Sequence, residues 1–217
     1  MSKILPVIVA PHQLLLQKSE PVKTVDAAVR ATLDNMLATL YAADGVGLAA
    51  PQVGILERLV VMDLGTERAD GKRDYSKPNP QVLVNPEIVG RSKEMRVHQE
   101  GCLSIPNIYT DVERPDRVTL KWLDKEGKPQ REEFTGLHAT VIQHEIDHLD
   151  GILFLKRLSR LQRERMEKKY AKFLPDFIEH PKYAISVQGQ GVVAACNHDH
   201  GHHHHHHVHG PHCNHDH

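Results

Sequence analysis

Five consecutive residues, His144-Glu145-Ile146-Asp147-His148, constrain this chain more than any other stretch. They end an apolar-spaced run from Leu137 through Val141, Ile142 and Ile146 to Leu149, which predicts an amphipathic helix closed by Gly151. Four residues make about one helical turn, so the two histidines leave from one face and can share a metal ion. Glu145, one position on, can then reach a water at that ion as general base. The pattern needs a third ligand from elsewhere in the chain.

Along the chain, Pro6, Pro11 and Pro21 predict an extended N-terminal segment over 4–22 with little helix. Val25, Val29, Leu33, Met36, Leu37 and Leu40 then recur at helical spacing, predicting a helix over about 25–42 that stops at Asp44-Gly45. The period changes after that. Short strands are expected at 58–63, 81–85, 95–99, 109–113, 117–123 and 130–134. In 117–123, Val118, Leu120 and Trp122 alternate with Thr119 and Lys121, the mark of a half-buried strand, and 124–128 with Gly127 makes a hairpin turn. Residues 66–80, with Gly71, Pro78 and Pro80, read as a polar loop. A second amphipathic helix carries Leu158, Leu161, Arg165, Met166 and Tyr170 and is expected to end before Pro175. Its polar face is basic, with Arg160, Arg163, Arg165, Lys168, Lys169 and Lys172. The fold class is therefore α+β, with short-stranded mixed or antiparallel sheets packed around the central metal-binding helix, an N-terminal helix and a C-terminal basic helix.

Composition bounds the setting. A length of 217 residues suggests one domain with an appendage, placed at 1–180, and a low-complexity His-rich tail at 181–217, expected to be disordered. A net charge of −1 points to no polyanion such as DNA. Three cysteines, Cys102, Cys196 and Cys213, make no disulfide framework, which favours a reducing compartment. The apolar run 4–10 is short, broken by Pro6 and followed by no small-x-small cleavage site; no stretch approaches the ~18 apolar residues of a membrane span. A cytoplasmic monomer is expected.

A third ligand is available in Glu100-Gly101-Cys102-Leu103-Ser104. A free cysteine is most often a buried apolar filler. Here, however, Gly101 precedes it and Ser104-Ile105-Pro106 follows, placing it at a bend after a strand. One thiolate and two imidazoles leave one tetrahedral position open, as in a catalytic site rather than a structural one. The small-residue stretch Gly45-Val46-Gly47-Leu48-Ala49-Ala50-Pro51-Gln52 reads either as a tight turn after the first helix or as glycines that admit a substrate backbone, with Gln52 donating to an oxyanion.

GVGLAAPQ, EGCLS and HEIDH, in this order and spacing, resemble the three signature motifs of the bacterial peptide deformylases, and the likeness extends over about residues 3–175. The resemblance implies metal ligands Cys102, His144 and His148, with Glu145 as general acid and base, and Gln52 with the backbone N–H of Leu103 stabilising the oxyanion. It also implies that the backbone of Val46 and Gly47 pairs with an extended peptide as an added strand. His98, Gly101, Tyr109, Leu137 and Val141 would fall around the substrate, His98, Leu137 and Val141 at the methionine pocket. Tyr109 stands where many members have Arg, and His98 where many have an aliphatic residue. Glu100 would pair with Arg114 behind the ligands. The implied reaction is removal of the formyl group from N-formylmethionyl nascent peptides, releasing formate. The family suggests Fe(II), with Zn(II), Ni(II) or Co(II) able to substitute, although ligand softness alone favours Zn over Fe(II). It also suggests docking of the basic helix, about 159–173, on the ribosome near the exit tunnel, where the helix would meet RNA phosphates.

Two other readings remain open on the residues alone. A zinc peptidase also carries HExxH on a helix, but takes its third ligand downstream, where this chain offers Cys102 upstream. A metal buffer or delivery protein would act through residues 196–217, CNHDHGHHHHHHVHGPHCNHDH, with CNHDH at both ends. An expression tag explains six histidines but not the flanking repeat, the two cysteines or the interspersed Asp residues. Such a tail would hold extra Ni(II) or Zn(II).

Overall fold

The five-residue motif lies on helix α2, Gly136–Leu149, which the computed structural model packs against a five-stranded antiparallel sheet. The structure describes residues 2–68 and 73–179; the expected His-rich tail and the boundary at 180/181 lie outside them. The sheet contains β1 (Gly47–Ala49), β2 (Leu59–Asp63), β5 (Pro80–Arg91), β8 (Arg117–Leu123) and β9 (Pro129–Thr135), in the order β1-β2-β5-β8-β9. Strand β2 shows how the layers form. Its residues are buried throughout; Val60 and Met62 face the cluster under α2, while Leu59 and Val61 face helix α1, Ala27–Ala42. A strand covered on both faces needs apolar residues at every position, and LVVM supplies them. Helix α1 starts at the N-cap Asp26, whose carboxylate accepts the Val29 N–H at 2.9 Å, and buries Val29, Leu33, Met36 and Leu40.

A second sheet is the long hairpin of β6 (Met95–Cys102) and β7 (Ile105–Pro115), whose tight end carries Cys102 to Ser104. A third apolar cluster joins Ile105, Ile108 and Val112 of this hairpin to Phe154 and Leu155 of a 3-10 turn (Phe154–Arg157) and to Tyr170 of helix α3, Arg160–Glu179. The N-terminal segment threads through this cluster: Val7 to Ala10 are buried, Ile8 N–H donates to Gln52 O, Ala10 N–H to Ser104 O, and the Tyr170 hydroxyl to Ala10 O. The segment includes a 3-10 turn at Gln13–Leu16.

Helix α2 ends where Gly151 was expected to close it. The N–H of Ile152 donates to Asp147 O and that of Gly151 to His148 O, the paired bonds of a Schellman cap, with Gly151 at φ 71°. A Cβ there would lie 2.5 Å from the carbonyl oxygen of Leu16, so glycine is required twice over.

Several expectations need correcting. The segment 66–80 is not all loop: β3 (Thr66–Glu67) and β4 (Arg73–Asp74) pair, and β5 begins at Pro80. Strand β5 runs past Pro86 because the ladder to β8 shifts register between Val84 and Glu87, and a bulge tolerates a residue without an N–H. Helix α3 continues through Pro175 to Glu179; Phe173 and Leu174, just before the proline, pack on the third cluster and hold the helix in place up to it. The stretch 45–52 is a strand and a 3-10 turn (Ala50–Val53) rather than one tight turn.

Candidate metal centre and substrate cleft

One face of α2 floors a cleft of about 660 Å³. Leu137, Thr140, Val141, His144 and Glu145 line it, spaced as successive turns of one helical face. The opposite walls are Asp44 to Gly47 and Gln52 on one side and Gln99 to Leu103 with Ile105 to Tyr109 on the other. Three elements therefore converge: the motif helix, the tip of the β6–β7 hairpin and the edge strand β1.

At the floor, the side chains of Cys102, His144 and His148 bring their ligand atoms within 4.8 Å of one another. Cys102 Sγ is 3.1 Å from His148 Nε2, and the two imidazoles meet edge to face with centroids 5.0 Å apart. His144 Nδ1 is 2.8 Å from Glu100 Oε2, which leaves Nε2 as the nitrogen that could take a metal ion. Burial, helped by the His144 and Arg114 charges, holds His148 well below the ordinary imidazole range, whereas at His144 burial is outweighed by the contacts with Cys102 and Glu100, which hold that imidazole well above it. A half-buried cysteine sulfur and two buried imidazoles, clustered in this way, fit one divalent ion with a position left open.

Glu145 is buried beside this cluster without belonging to it. Its Oε2 has no hydrogen-bond partner among the described residues, and burial, first among the causes, pushes its carboxyl up to about 7. Its Oε1 occupies the space that a side chain on residue 47 would take: a Cβ on Gly47 would sit 2.3 Å from it. The glycine of the edge strand thus makes room for the carboxylate. Val46 C=O accepts the Asp63 N–H of β2 at 3.0 Å, so strand alternation turns the N–H and C=O of Gly47 toward the open edge of the sheet.

Gln52 is fixed by its own turn. Ala49 N–H donates to Gln52 Oε1 at 2.8 Å, which orients the amide so that Nε2 points to Cys102 Sγ at 3.5 Å and Ser104 Oγ at 3.3 Å. The Ser104 contact is long for an N–H···O bond and the Cys102 sulfur is a weak acceptor, leaving the donor ready to turn to another acceptor in the cleft. Leu103 follows Cys102 in the hairpin turn, with its side chain packed toward Gly45.

Glu100 and Arg114 form a buried ion pair, Nε to Oε1 at 2.5 Å and Nη2 to Oε2 at 3.0 Å. Burial opposes the Glu100 charge, but the hydrogen bonds from His144 and Arg114 and the Arg114 charge outweigh it and hold the carboxyl down at about 2. Tyr109 lies across from Gly101 in the ladder with its ring over the glycine, where a Cβ would meet Cε1 at 2.5 Å; the ring is 64% exposed and forms part of the cleft wall. His98 is the exception among the expected residues. It pairs with Val112, farther from the hairpin tip, and does not line the cleft. Sequence reasoning passed over Ser104, which braces Gln52, and Asp147, which receives Arg114 Nη1 at 2.8 Å. Asp147 was visible as the fourth residue of the motif, three positions from His144, but nothing local announced its partner.

Residues 4–164 match the family model described as polypeptide deformylase. The chain is 47% identical over 173 residues to a peptide deformylase of Mesorhizobium japonicum, covering 80% of this chain and 94% of that protein. It is likewise 47% identical over 166 residues to one of Phenylobacterium zucineum, covering 76% and 94%. Among solved structures it is similar to a peptide deformylase from Legionella pneumophila, with TM-score 0.71, 38% identity and coverage of 82% of this chain and 99% of that one. It is also similar to a class I type b peptide deformylase from Acinetobacter baumannii bound to Met-Ala-Ser, with TM-score 0.66, 37% identity and coverage of 73% and 100%. A family model that spans most of the chain, relatives matched over nearly their whole length, and a cleft floored by the three motifs together mean that the chain belongs to the polypeptide deformylase family.

Proposed function

We propose that Cys102, His144 and His148 hold one divalent ion, Fe(II) in the cell, and that Glu145 carries the protons of the family's reaction. That reaction, removal of the formyl group from the N-terminus of nascent peptides, is the activity of this chain. The observation that carries the residue assignment is the Glu145 carboxylate, buried with one oxygen unpartnered beside the thiolate and imidazole cluster at the cleft floor.

When bound, the metal supplies the Lewis acidity that makes water a competent nucleophile at neutral pH. Glu145 accepts a proton as water attacks the formyl carbon and returns one to the departing nitrogen. A carboxyl poised near neutrality suits both halves of that task. Gln52 Nε2 and the Leu103 N–H donate to the formyl oxygen as it gains charge, the Gln52 donor exchanging two weak contacts for one to a charged acceptor. The peptide lies along the open edge of β1 as an added strand, pairing with the N–H and C=O of Gly47 rather than with Val46, whose C=O is taken by Asp63, while Leu137 and Val141 receive the methionine side chain. The Met-Ala-Ser held by the Acinetobacter relative supports a peptide of this kind in the cleft. Tyr109 on Gly101 offers an aromatic platform to the residues that follow.

Residues 1–180 are proposed as the catalytic domain of a cytoplasmic monomer; no helix among the described residues is long and apolar enough to cross a membrane. On α3, Arg160 pairs with Glu164 and Arg163 with Glu167, so the charge without a paired carboxylate among the described residues is concentrated at Arg165, Lys168, Lys169 and Lys172. This supports docking on ribosomal RNA phosphates, which is checked by co-sedimentation that falls with salt and is lost when Arg165, Lys168 and Lys169 become Glu. The tail, 181–217, is proposed to hold additional Ni(II) or Zn(II) weakly through its histidines; removing 190–217 then slows metal reloading without changing turnover of the loaded enzyme.

The deciding experiment for the activity supplies formyl-Met-Ala-Ser and acetyl-Met-Ala-Ser to the Fe(II)-loaded chain under anaerobic conditions. Formate is expected from the first and no acetate from the second. Cleavage of internal peptide bonds without formate would return the reading to a zinc peptidase.

A further inference from the structure

The 3-10 turn Phe154–Arg157 follows the metal helix and folds back against it. Its first residue packs its ring 5.7 Å from the His144 imidazole. Its last residue, Arg157, donates from Nε to Asp147 Oδ2 at 3.0 Å and from Nη2 to Asp147 Oδ1. Asp147 sits three positions after His144 on α2, and its Oδ2 also accepts Arg114 Nη1 at 2.8 Å. Arg114 then engages both oxygens of Glu100, and Glu100 Oε2 meets His144 Nδ1 at 2.8 Å.

We propose that Arg157 is a positioning residue for His144, acting through Asp147, Arg114 and Glu100. The proposal rests on the reading of His144 as a metal ligand. The four side chains before Arg157 close a ring that begins and ends on α2. The Arg114, Glu100, Asp147 and His144 side chains are at most 9% exposed, whereas Arg157 is 44% exposed. Arg157 is therefore where the ring is tied to the surface. It also completes the charges: two buried carboxylates are matched by two guanidiniums, and without Arg157 one carboxylate is in excess and Asp147 Oδ1 loses its partner among the described residues. A planar fork that uses both oxygens fixes the carboxylate plane, which a point charge does not. Asp147 held in that plane aims Arg114, Arg114 holds Glu100 square, and Glu100 sets the tilt of the imidazole. Phe154 limits the ring from its side, so the same turn braces the imidazole both by contact and through the charged ring.

The test loads the full chain with Co(II) and follows chelator-driven metal loss, the visible ligand-field spectrum and the thermal midpoint. Arg157→Gln is expected to lose metal about tenfold faster, at the low end of what partners behind a ligand contribute, with a shifted spectrum. Arg157→Lys, which keeps the charge without the fork, falls between, and Arg160→Gln, an exposed neighbour, matches wild type. Should Arg157→Gln fail to fold, Arg157→Lys decides by the same readouts. A lowered midpoint with metal loss changed less than threefold and an unaltered spectrum would overturn the proposal and leave Arg157 a structural residue. His144→Ala separates the two levels: if it holds Co(II) as tightly as wild type, the ligand reading falls. If it loses the metal while the Arg157 variants behave as wild type, only the positioning role falls.

Discussion

Gly47→Ala is a one-methyl test of how tightly the edge strand and Glu145 are fitted. The backbone at Gly47 lies outside the left-handed region, so alanine is allowed there, and in a strand it is intrinsically favoured over glycine by roughly 0.5–1 kcal/mol. The added Cβ, however, falls 2.3 Å from Glu145 Oε1, 2.9 Å from its Cδ and 3.0 Å from Val141 Cγ1. Carbon and oxygen need about 3.2 Å or more, near the contact distances of non-bonded heavy atoms, so the carboxylate must retreat by about 1 Å. A misplacement of that size costs on the order of 10²-fold in rate, or about 2.7 kcal/mol of transition-state stabilisation. Because Glu145 lies outside the ligand cluster, the metal stays. Formate release by the metal-loaded variant, with metal content and thermal midpoint alongside, is therefore expected to show a kcat lower by about 10²-fold at unchanged stoichiometry and unreduced stability. Turnover within threefold of wild type would refute the fit, as would loss of the metal.

Cys102→Ser is expected to keep the fold and lose the ion, since a hydroxyl does not ionise at neutral pH and matches a soft-ligand position poorly; full metal stoichiometry after dialysis against a mild chelator would contradict it. Acid stability should report Glu100. Its carboxyl is depressed from 4.5 to about 2, so the stability it contributes is present above the ordinary value and is lost as pH falls toward 2, on the order of 3 kcal/mol for that interval. Urea unfolding of the metal-free chain should therefore be flatter in Glu100→Gln than in wild type between pH 5 and 2, and parallel pH profiles would contradict the assignment.

The parts of the fold that could be read in advance are those whose signal is local. The helical period of α2, its Gly151 closure and the alternation Val118, Leu120, Trp122 each sit within one element, and the structure has them where the spacing puts them. Pro175 misled because tertiary context decides its cost: it sits late in a helix held by Phe173 and Leu174, which neighbouring residues do not show. The site shows the same division. His144, Glu145 and His148 announce themselves by spacing, and Cys102 by its turn. His98 is only a few residues from Cys102 in sequence, but an extended strand carries it beyond the cleft. Arg157, ten residues after Asp147, belongs to the ring only because a 3-10 turn folds it back, and no periodicity encodes that return.

The most direct test of the central claim is formate release by Glu145→Gln measured together with its metal content. Glutamine keeps the size of the side chain and loses the proton carrier, so the variant should bind one metal per chain and release formate more slowly by about 10²–10⁴-fold. A metal-loaded Glu145→Gln that turned over at near the wild-type rate would remove Glu145 from the chemistry; one that lost its metal would move Glu145 into the ligand set and contradict the assignment of Cys102, His144 and His148 as the complete protein donor set.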